Sequence, residues 1–310
     1  MNNLHTVIGY GNLGQAVVRV LHDKNIPTKI LNRSINASGV IPCNVLNIDE
    51  LTKNTADSSH VYITVGLEYK YSVWKVEWPQ IMSNVIEAAK VNGFKIVFFD
   101  NMYLYGPSPL QNPITEDHPR NPPSKKGKLR LDLVNMLENA MLNDGVEAVI
   151  ARSPDFYGPN VKNSILYASA IENILKGKKP QFVGNPNTKH CYIYLPDAAR
   201  ALVILANDDT AYGQTWHLPT APPTFSTTDM LNKAAILCGQ KSGVQVLSKQ
   251  AVKFLKLFIP ILGEVEEMTY QTEHDYNFSS QKFEKAYPDF AITDNDTGIK
   301  NMIESLKKEK

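Results

Sequence analysis

The sequence predicts an α/β protein: a doubly wound parallel sheet followed by a smaller C-terminal lobe. Three observations carry that expectation. Short apolar runs alternate with helix-period segments through the first half, the pattern of βαβ units. Gly9-Tyr10-Gly11-Asn12-Leu13-Gly14 separates the first apolar run from the first helical pattern. The 310 residues, 43% hydrophobic and 20% charged, suffice for one large or two modest domains with a core of ordinary size.

Taken in order, Leu4 to Ile8 reads as a strand. Gly14 to His22 reads as a helix, with Ala16, Val17, Val20 and Leu21 at helical spacing. Thr28 to Leu31 and Val61 to Val65 read as further strands. Trp78 to Val91 reads as a helix ended by Gly93. Lys95 to Phe99 is a buried strand bounded by Asp100 and Asn101. The stretch from Pro107 to Lys128 breaks the rhythm with Pro107, Pro109, Pro113, Pro119, Pro122 and Pro123. It is either an ordered loop near the site or a mobile lid. Leu129 to Leu142 is helical, and Val146 to Ala151 is another strand. From about residue 156 the pattern loosens, punctuated by Pro219, Pro222 and Pro223. The expected division is a dinucleotide-binding domain over 1–155 and a mainly substrate-binding lobe over 156–310, with some segments returning to the sheet. Ligands of such sheets sit at the carboxyl ends of the strands.

Charge and composition narrow the function. Thirty-two basic residues balance 31 acidic ones, so no global field draws in nucleic acid or an anionic membrane, although a local basic cluster stays open. Cys43, Cys191 and Cys238 are odd in number and far apart, which fits a reducing cytoplasm rather than a disulfide framework or zinc site. Met1 to Thr6 lack the pattern of a signal peptide, and no run of about 18 apolar residues occurs. No two histidines stand at i, i+4 and no G-x-S-x-G occurs, so metal and serine-hydrolase chemistry are not expected. His190 either lines a pocket or is a satisfied structural residue. Trp74 and Trp78 either wall an aromatic or isoprenoid-like substrate or pack in the core. A small-molecule substrate is the expected partner.

The glycine motif has the strand-then-helix context of a Rossmann-type dinucleotide site. Gly9, Gly11 and Gly14 allow a tight turn and close backbone approach, while the helix start, with Asn12 and Leu13, offers its N–H groups to a pyrophosphate. The second strand ends Asn32-Arg33-Ser34, with no carboxylate to accept from ribose hydroxyls. A guanidinium suits a 2′-phosphate, and Ser34 adds a hydrogen bond, so NADP is expected over NAD. The alternative is that Arg33 is a solvated loop residue.

These pieces resemble the short-chain dehydrogenase/reductase superfamily, in its extended and atypical branches often labelled NAD-dependent epimerase/dehydratase. The likeness runs through Val61 to Gly66, Met82 to Ala89, Tyr103-Leu104-Tyr105-Gly106, Ala151 to Pro159 and Tyr192 to Ala201. It implies adenine contacts from Asn44-Val45, where the family has Asp-Val, and places Pro154 at the cofactor. Extended members usually show G-x-x-G-x-x-G; here Ile8 stands where the first of those glycines would be. The resemblance also implies a homodimer through the helices at Ile81 to Val91 and Leu129 to Leu142.

Family chemistry uses a Tyr-x-x-x-Lys helix and an upstream Ser or Thr. The Lys lies near the Tyr hydroxyl and holds the nicotinamide ribose; its charge lowers the phenol pKa from about 10, and the Ser polarises the carbonyl. The resemblance puts Lys128 in the Lys position, Ser124 in the Tyr position, Asp132 four residues after the Lys and Asn101 in the Ser position. An aliphatic hydroxyl is no simple substitute for a phenol, whereas an amide can still donate to a carbonyl oxygen. Tyr103, just past the central strand, is the candidate replacement acid; otherwise it is a packed or substrate-lining aromatic. Lys125, Lys126, Lys128 and Arg130 alternatively form a basic face, solvated or phosphate-binding. Two functions follow. One is an NADP-dependent oxidoreductase or epimerase/dehydratase acting on a small carbonyl or hydroxyl compound, sugar-like or aromatic. The other is an NADP-binding sensor or interaction protein without redox turnover.

Overall fold

The structure is a computed structural model describing residues 3–35, 37–164, 166–222 and 226–308; Met1, Asn2 and Pro223, named above, lie outside them. The chain divides into two compact units, the first made of residues 1–104, 126–153 and 198–218, the second of 105–125, 154–197 and 219–310.

The first unit is built on seven strands: β1 (His5–Ile8), β2 (Thr28–Asn32), β3 (Val40–Pro42), β4 (His60–Ile63), β5 (Lys95–Asn101), β6 (Ala148–Ser153) and β7 (Gln214–His217). Their order across the sheet is β7-β6-β5-β4-β1-β2-β3, and every pairing is parallel. The order reverses direction at β1, beside β4. In sheets of this kind that reversal opens the crevice where ligands bind. The central strands are buried on both faces, as the continuous apolar runs Val7-Ile8, Val61 to Ile63 and Ile96 to Phe98 require. His5 is also buried in β1, hydrogen-bonded through Nδ1 to the Tyr62 hydroxyl at 2.9 Å; burial, then neighbouring His60, pushes its pKa down to about 3.

Five helices matter for the first unit: α1 (Asn12–Asp23), α2 (Ile48–Thr55), α3 (Tyr71–Asn92), α4 (Lys125–Asn143) and α5 (Leu195–Ala206). α1 buries Leu13, Ala16, Val17, Val18 and Leu21 along one stripe. α3 starts seven residues before the expected Trp78 and carries Pro79 in its interior. Burial of Trp74 and Trp78, 7% and 5% exposed, outweighs the backbone bond that proline forfeits. Gly93, at φ 72°, ends α3 in the left-handed conformation expected of a C-terminal glycine.

In the second unit, strands Asp155–Tyr157 and Tyr192–Tyr194 pair in parallel, as do Gln181–Val183 and Gln245–Leu247. Helices Thr227–Leu237 and Asn295–Lys308 share a core with Tyr157, Ile171, Ile174 and Tyr194. The proline-rich stretch is an ordered loop rather than a lid. Gly106 N–H donates to Pro119 O at 3.0 Å, Ile114 N–H to Asn277 O at 2.8 Å and Ser279 N–H to Ile114 O at 2.9 Å. Asn112 adds a side-chain bond to Asp275 O at 2.7 Å. Among the described residues no helix is long and apolar enough to cross a membrane.

Candidate functional site

The glycine turn joins β1 to α1. Gly9 sits at φ +95°, a conformation that side chains with a Cβ rarely adopt. A Cβ on Gly14 would overlap the Gly9 carbonyl oxygen and come within 3.0 Å of Thr64 Oγ1. Gly14 is therefore required by the protein's own packing. Thr64 Oγ1 donates to Gly9 O at 2.8 Å and Ile8 O at 3.0 Å, which pins the turn to the end of β4.

Gly11 is different. A Cβ built there meets nothing within 4 Å, so no neighbouring atom demands glycine. Gly11 is also the N-cap of α1, without a side-chain cap and with no acidic residue in the first turn. α2, by contrast, is capped by Asn47, whose side chain accepts from the N–H groups of Asp49 and Glu50. An open, uncapped helix start is where backbone N–H groups and the helix dipole favour an anion. These residues fit the pyrophosphate of a dinucleotide.

The expected adenosine contacts flank this turn. Asn32 Oδ1 accepts from the N–H groups of Ser34 and Ile35 at 3.0 and 2.9 Å, fixing the bend after β2. Arg33 is 56% exposed, with Nη1 3.4 Å from Glu77 Oε2. The guanidinium is thus available at the strand end and lightly anchored. Asn44 Oδ1 accepts from Leu46 N–H at 3.2 Å, and Asn84 on α3 donates to Val45 O at 2.8 Å. Asn44 and Val45 are held in place by that amide, the Asn of the helix matched in the resemblance.

At the carboxyl end of β5, on the same edge of the parallel sheet as the glycine turn, α4 places its cations differently from the expectation. α4 buries Leu129, Leu133, Val134, Leu137 and Ala140, and this stripe takes Lys126 and Arg130 inside with it. Lys128 and Asp132 face solvent. The inward pair at i, i+4 is therefore Lys126 and Arg130, not Ser124 and Lys128. The four cations accordingly do not form one basic face: Lys126 and Arg130 are buried, while Lys125 and Lys128 are exposed.

Arg130 donates through Nε to Asp100 Oδ1 at 2.9 Å and pairs again through Nη2. Arg152 Nε donates to the other oxygen, Asp100 Oδ2, at 3.0 Å. All three are at most 2% exposed, so one carboxylate holds two buried guanidinium groups. The Arg130 guanidinium also lies 4.7 Å from the Trp78 ring centroid and 5.0 Å from that of Phe98.

Lys126 is fully buried, its ammonium 4.8 Å from the Tyr69 ring centroid. The hydroxyls of Tyr69 and Tyr103 are 3.4 Å apart. Tyr103 stacks on Trp74, which meets Tyr69 and Trp78 edge-on. Trp74 and Trp78 are therefore buried members of an aromatic stack beside two phenols and an ammonium. Asn101 Oδ1 accepts from Tyr103 N–H at 3.0 Å, capping the short 3₁₀ turn after β5.

Ser124 and Pro154 belong to the second unit, where both are buried. Ser124 hydrogen-bonds Tyr270, whose phenol is pushed up to about 12 by burial despite that bond. Ser124 lines a cavity of about 450 Å³ with Lys125, Glu267, Tyr270 and Glu273. His190 is buried, stacked on Tyr276, with Nε2 3.1 Å from Asp155 Oδ2. Burial raises the Cys43 and Cys191 thiols to about 11, away from nucleophilic use.

The sequence reading missed Tyr69, named Asp100 only as the bound of a strand, and placed Lys126 and Arg130 on a basic face rather than in the interior. The signal for the last two was the apolar stripe of α4, which extends back to positions 126 and 130 when counted at helical spacing.

Comparisons with known proteins bear on the family and the fold. A model of the NAD dependent epimerase/dehydratase family matches residues 6–217. UDP-N-acetylglucosamine 4-epimerase from Bacillus cereus superposes with a TM-score of 0.78 at 18% identity, covering 98% of this chain and 96% of that one. UDP-glucose 4-epimerase from Thermus thermophilus, in complex with NAD, gives 0.74 at 16% identity, covering 98% and 99%. UDP-glucuronic acid 4-epimerase from Bacillus cereus, also with NAD, gives 0.76 at 15%, covering 99% of each chain. At these identities the superpositions speak for the fold. No significant match is found among curated protein sequences. With the family match spanning both the glycine turn and α4, the chain belongs to the NAD dependent epimerase/dehydratase family.

Proposed function

We propose that the chain binds NADP through its first unit and acts as an oxidoreductase or epimerase/dehydratase on a small carbonyl or hydroxyl compound, sugar-like or aromatic. The observation that carries this reading is the open space over Gly11 at the uncapped start of α1. Gly9 and Gly14 shape the turn, Asn12 and Leu13 present backbone N–H groups, and Arg33 and Ser34 receive the 2′-phosphate. Asn44 and Val45 border the adenine. Bound nicotinamide supplies or accepts the hydride. Tyr103 donates its proton to the reacting oxygen and takes one from Tyr69, which is half-buried and regains its own from solvent, while the Asn101 amide donates a hydrogen bond to the same oxygen. Lys126 supplies the positive charge that favours phenolate formation, a role expected at first of Lys128. The same reading includes a homodimer through α3 and α4, where Val76, Val91 and Leu142 remain exposed.

A titration reading nicotinamide fluorescence tests the cofactor. NADPH is expected to bind at least about tenfold more tightly than NADH, and Arg33→Ala to erase that preference, a change of about 1.4 kcal/mol. Equal affinity for both cofactors in the wild type overturns the assignment of Arg33. Tyr103→Phe tests the chemistry: turnover is expected to fall about 10²-fold or more with NADPH affinity unchanged. Unchanged turnover removes Tyr103 from the reaction.

One observation favours the second reading, a dinucleotide-responsive interaction protein without turnover. The inward position four residues after Lys126 holds Arg130, committed to Asp100. A wild-type protein that binds NADPH tightly and turns over no carbonyl or hydroxyl compound supports that reading.

A further inference from the structure

One ion pair beside the glycine turn has no structural task. Arg33, just past the end of β2, lies with Nη1 3.4 Å from Glu77 Oε2 on α3. Among the described residues neither side chain has another ionic partner. Glu77 does not support α3 itself: the residues three and four positions away are Val73, Trp74, Gln80 and Ile81, none of them a cation. Nor does the pair hold the fold together. Its side chains are 56% and 24% exposed, and pairs so open to water contribute little to stability.

The rotation of α3 places the carboxylate there. Trp74, Trp78 and Ile81 are buried against the first unit and fix which face of the helix turns inward. Glu77 and Asn84 stand seven residues apart, two turns and about 10 Å along one side of α3. Asn84 donates to Val45 O at 2.8 Å. One side of the helix therefore meets both segments that flank the adenosine, the Asn44-Val45 segment through an amide and the end of β2 through a carboxylate.

That carboxylate and a 2′-phosphate want the same guanidinium. Nη1 is one of the donors in the fork with which arginine grips a phosphate. With Glu77 on Nη1, an incoming phosphate either displaces the carboxylate or binds beside a like charge. A 2′-hydroxyl is neutral and needs no guanidinium, so NAD meets neither obstacle.

We propose that Glu77 is a specificity-determining residue: by engaging Arg33 it opposes the 2′-phosphate and narrows the preference for NADP over NAD. The proposal rests on Arg33 being the 2′-phosphate ligand. Because the pair is partly in solvent, the effect is graded. Glu77 sets how strongly the two cofactors are told apart and does not exclude either.

The test is titration of the full chain with NADPH and with NADH, in the wild type, Glu77→Gln, Arg33→Ala and the double variant. Glu77→Gln is expected to bind NADPH about two- to fivefold more tightly with NADH affinity unchanged. The gain is expected to shrink as salt rises and to be lost in the Arg33→Ala background, because Glu77 acts through the guanidinium. An unchanged melting temperature checks that folding is intact. NADPH affinity that stays the same or falls in Glu77→Gln, while Arg33→Ala weakens it, overturns this proposal alone. Equal shifts for both cofactors also overturn it, since they mark a general change in the site. A gain that persists without Arg33 overturns the route through the guanidinium. Arg33→Ala with wild-type NADPH affinity overturns the cofactor reading, and this proposal with it.

Discussion

Gly14→Ala is expected to destabilise the first unit by about 3 kcal/mol or more, while Gly11→Ala leaves stability within about 0.5 kcal/mol and weakens NADPH binding about tenfold. The two glycines belong to one motif and carry different constraints. At position 14 a methyl group overlaps the Gly9 carbonyl oxygen and crowds Thr64, so α1 must move off the sheet. At position 11 the backbone is extended, at φ −75° and ψ −167°, and the methyl enters open space. That space is where a phosphate approaches the helix start. Urea unfolding and NADPH titration of both variants check the pair. A Gly11→Ala protein with wild-type affinity places the phosphate elsewhere, and a stable Gly14→Ala protein refutes the close approach.

Asp100→Asn is expected to cost about 3–5 kcal/mol. The carboxylate holds Arg130 through one oxygen and Arg152 through the other, and all three groups are buried. Neutralising it removes the Asp100 charge from beside two guanidinium groups in a poorly solvated interior. The attraction within the cluster need not exceed the cost of taking its charges out of water, so its removal as a whole is much milder. Asp100→Leu combined with Arg130→Met and Arg152→Met is accordingly expected to recover most of the loss. Urea midpoints of the single and triple variants measure this. A single variant as stable as the wild type removes the cluster from the stability of the sheet.

The elements that the sequence displays best are those whose burial has one simple period. The runs at β1, β4 and β5 are buried on both faces, and Gly93 marks the end of α3. β3 and β7 escaped notice because they are short, and because β3 is exposed while β7 begins with polar residues. Two of three residues in β3 are exposed, and β7 begins with Gln214 and Thr215. At the site, the glycine turn was legible because its chemistry is local in sequence. The register of α4 was less so. Counting from a family lysine gave Lys128, whereas the apolar stripe through Leu129, Leu133 and Leu137 turns Lys126 and Arg130 inward. The association of Tyr69, from the segment after β4, with Tyr103, from the end of β5, depends on strand order, which no local pattern states.

The parallel sheet also has a consequence for the nascent chain. β6 ends at Ser153, and its outer neighbour β7 begins only at Gln214, after residues 154–197 of the second unit and the rest of α5. At about 5–20 residues per second the ribosome needs about 3–12 s to deliver those roughly 60 residues. For that interval β6 is an open edge of buried, apolar composition, the kind of edge that pairs with the wrong strand. During synthesis, the vulnerable part of this protein is therefore the unfinished side of its sheet.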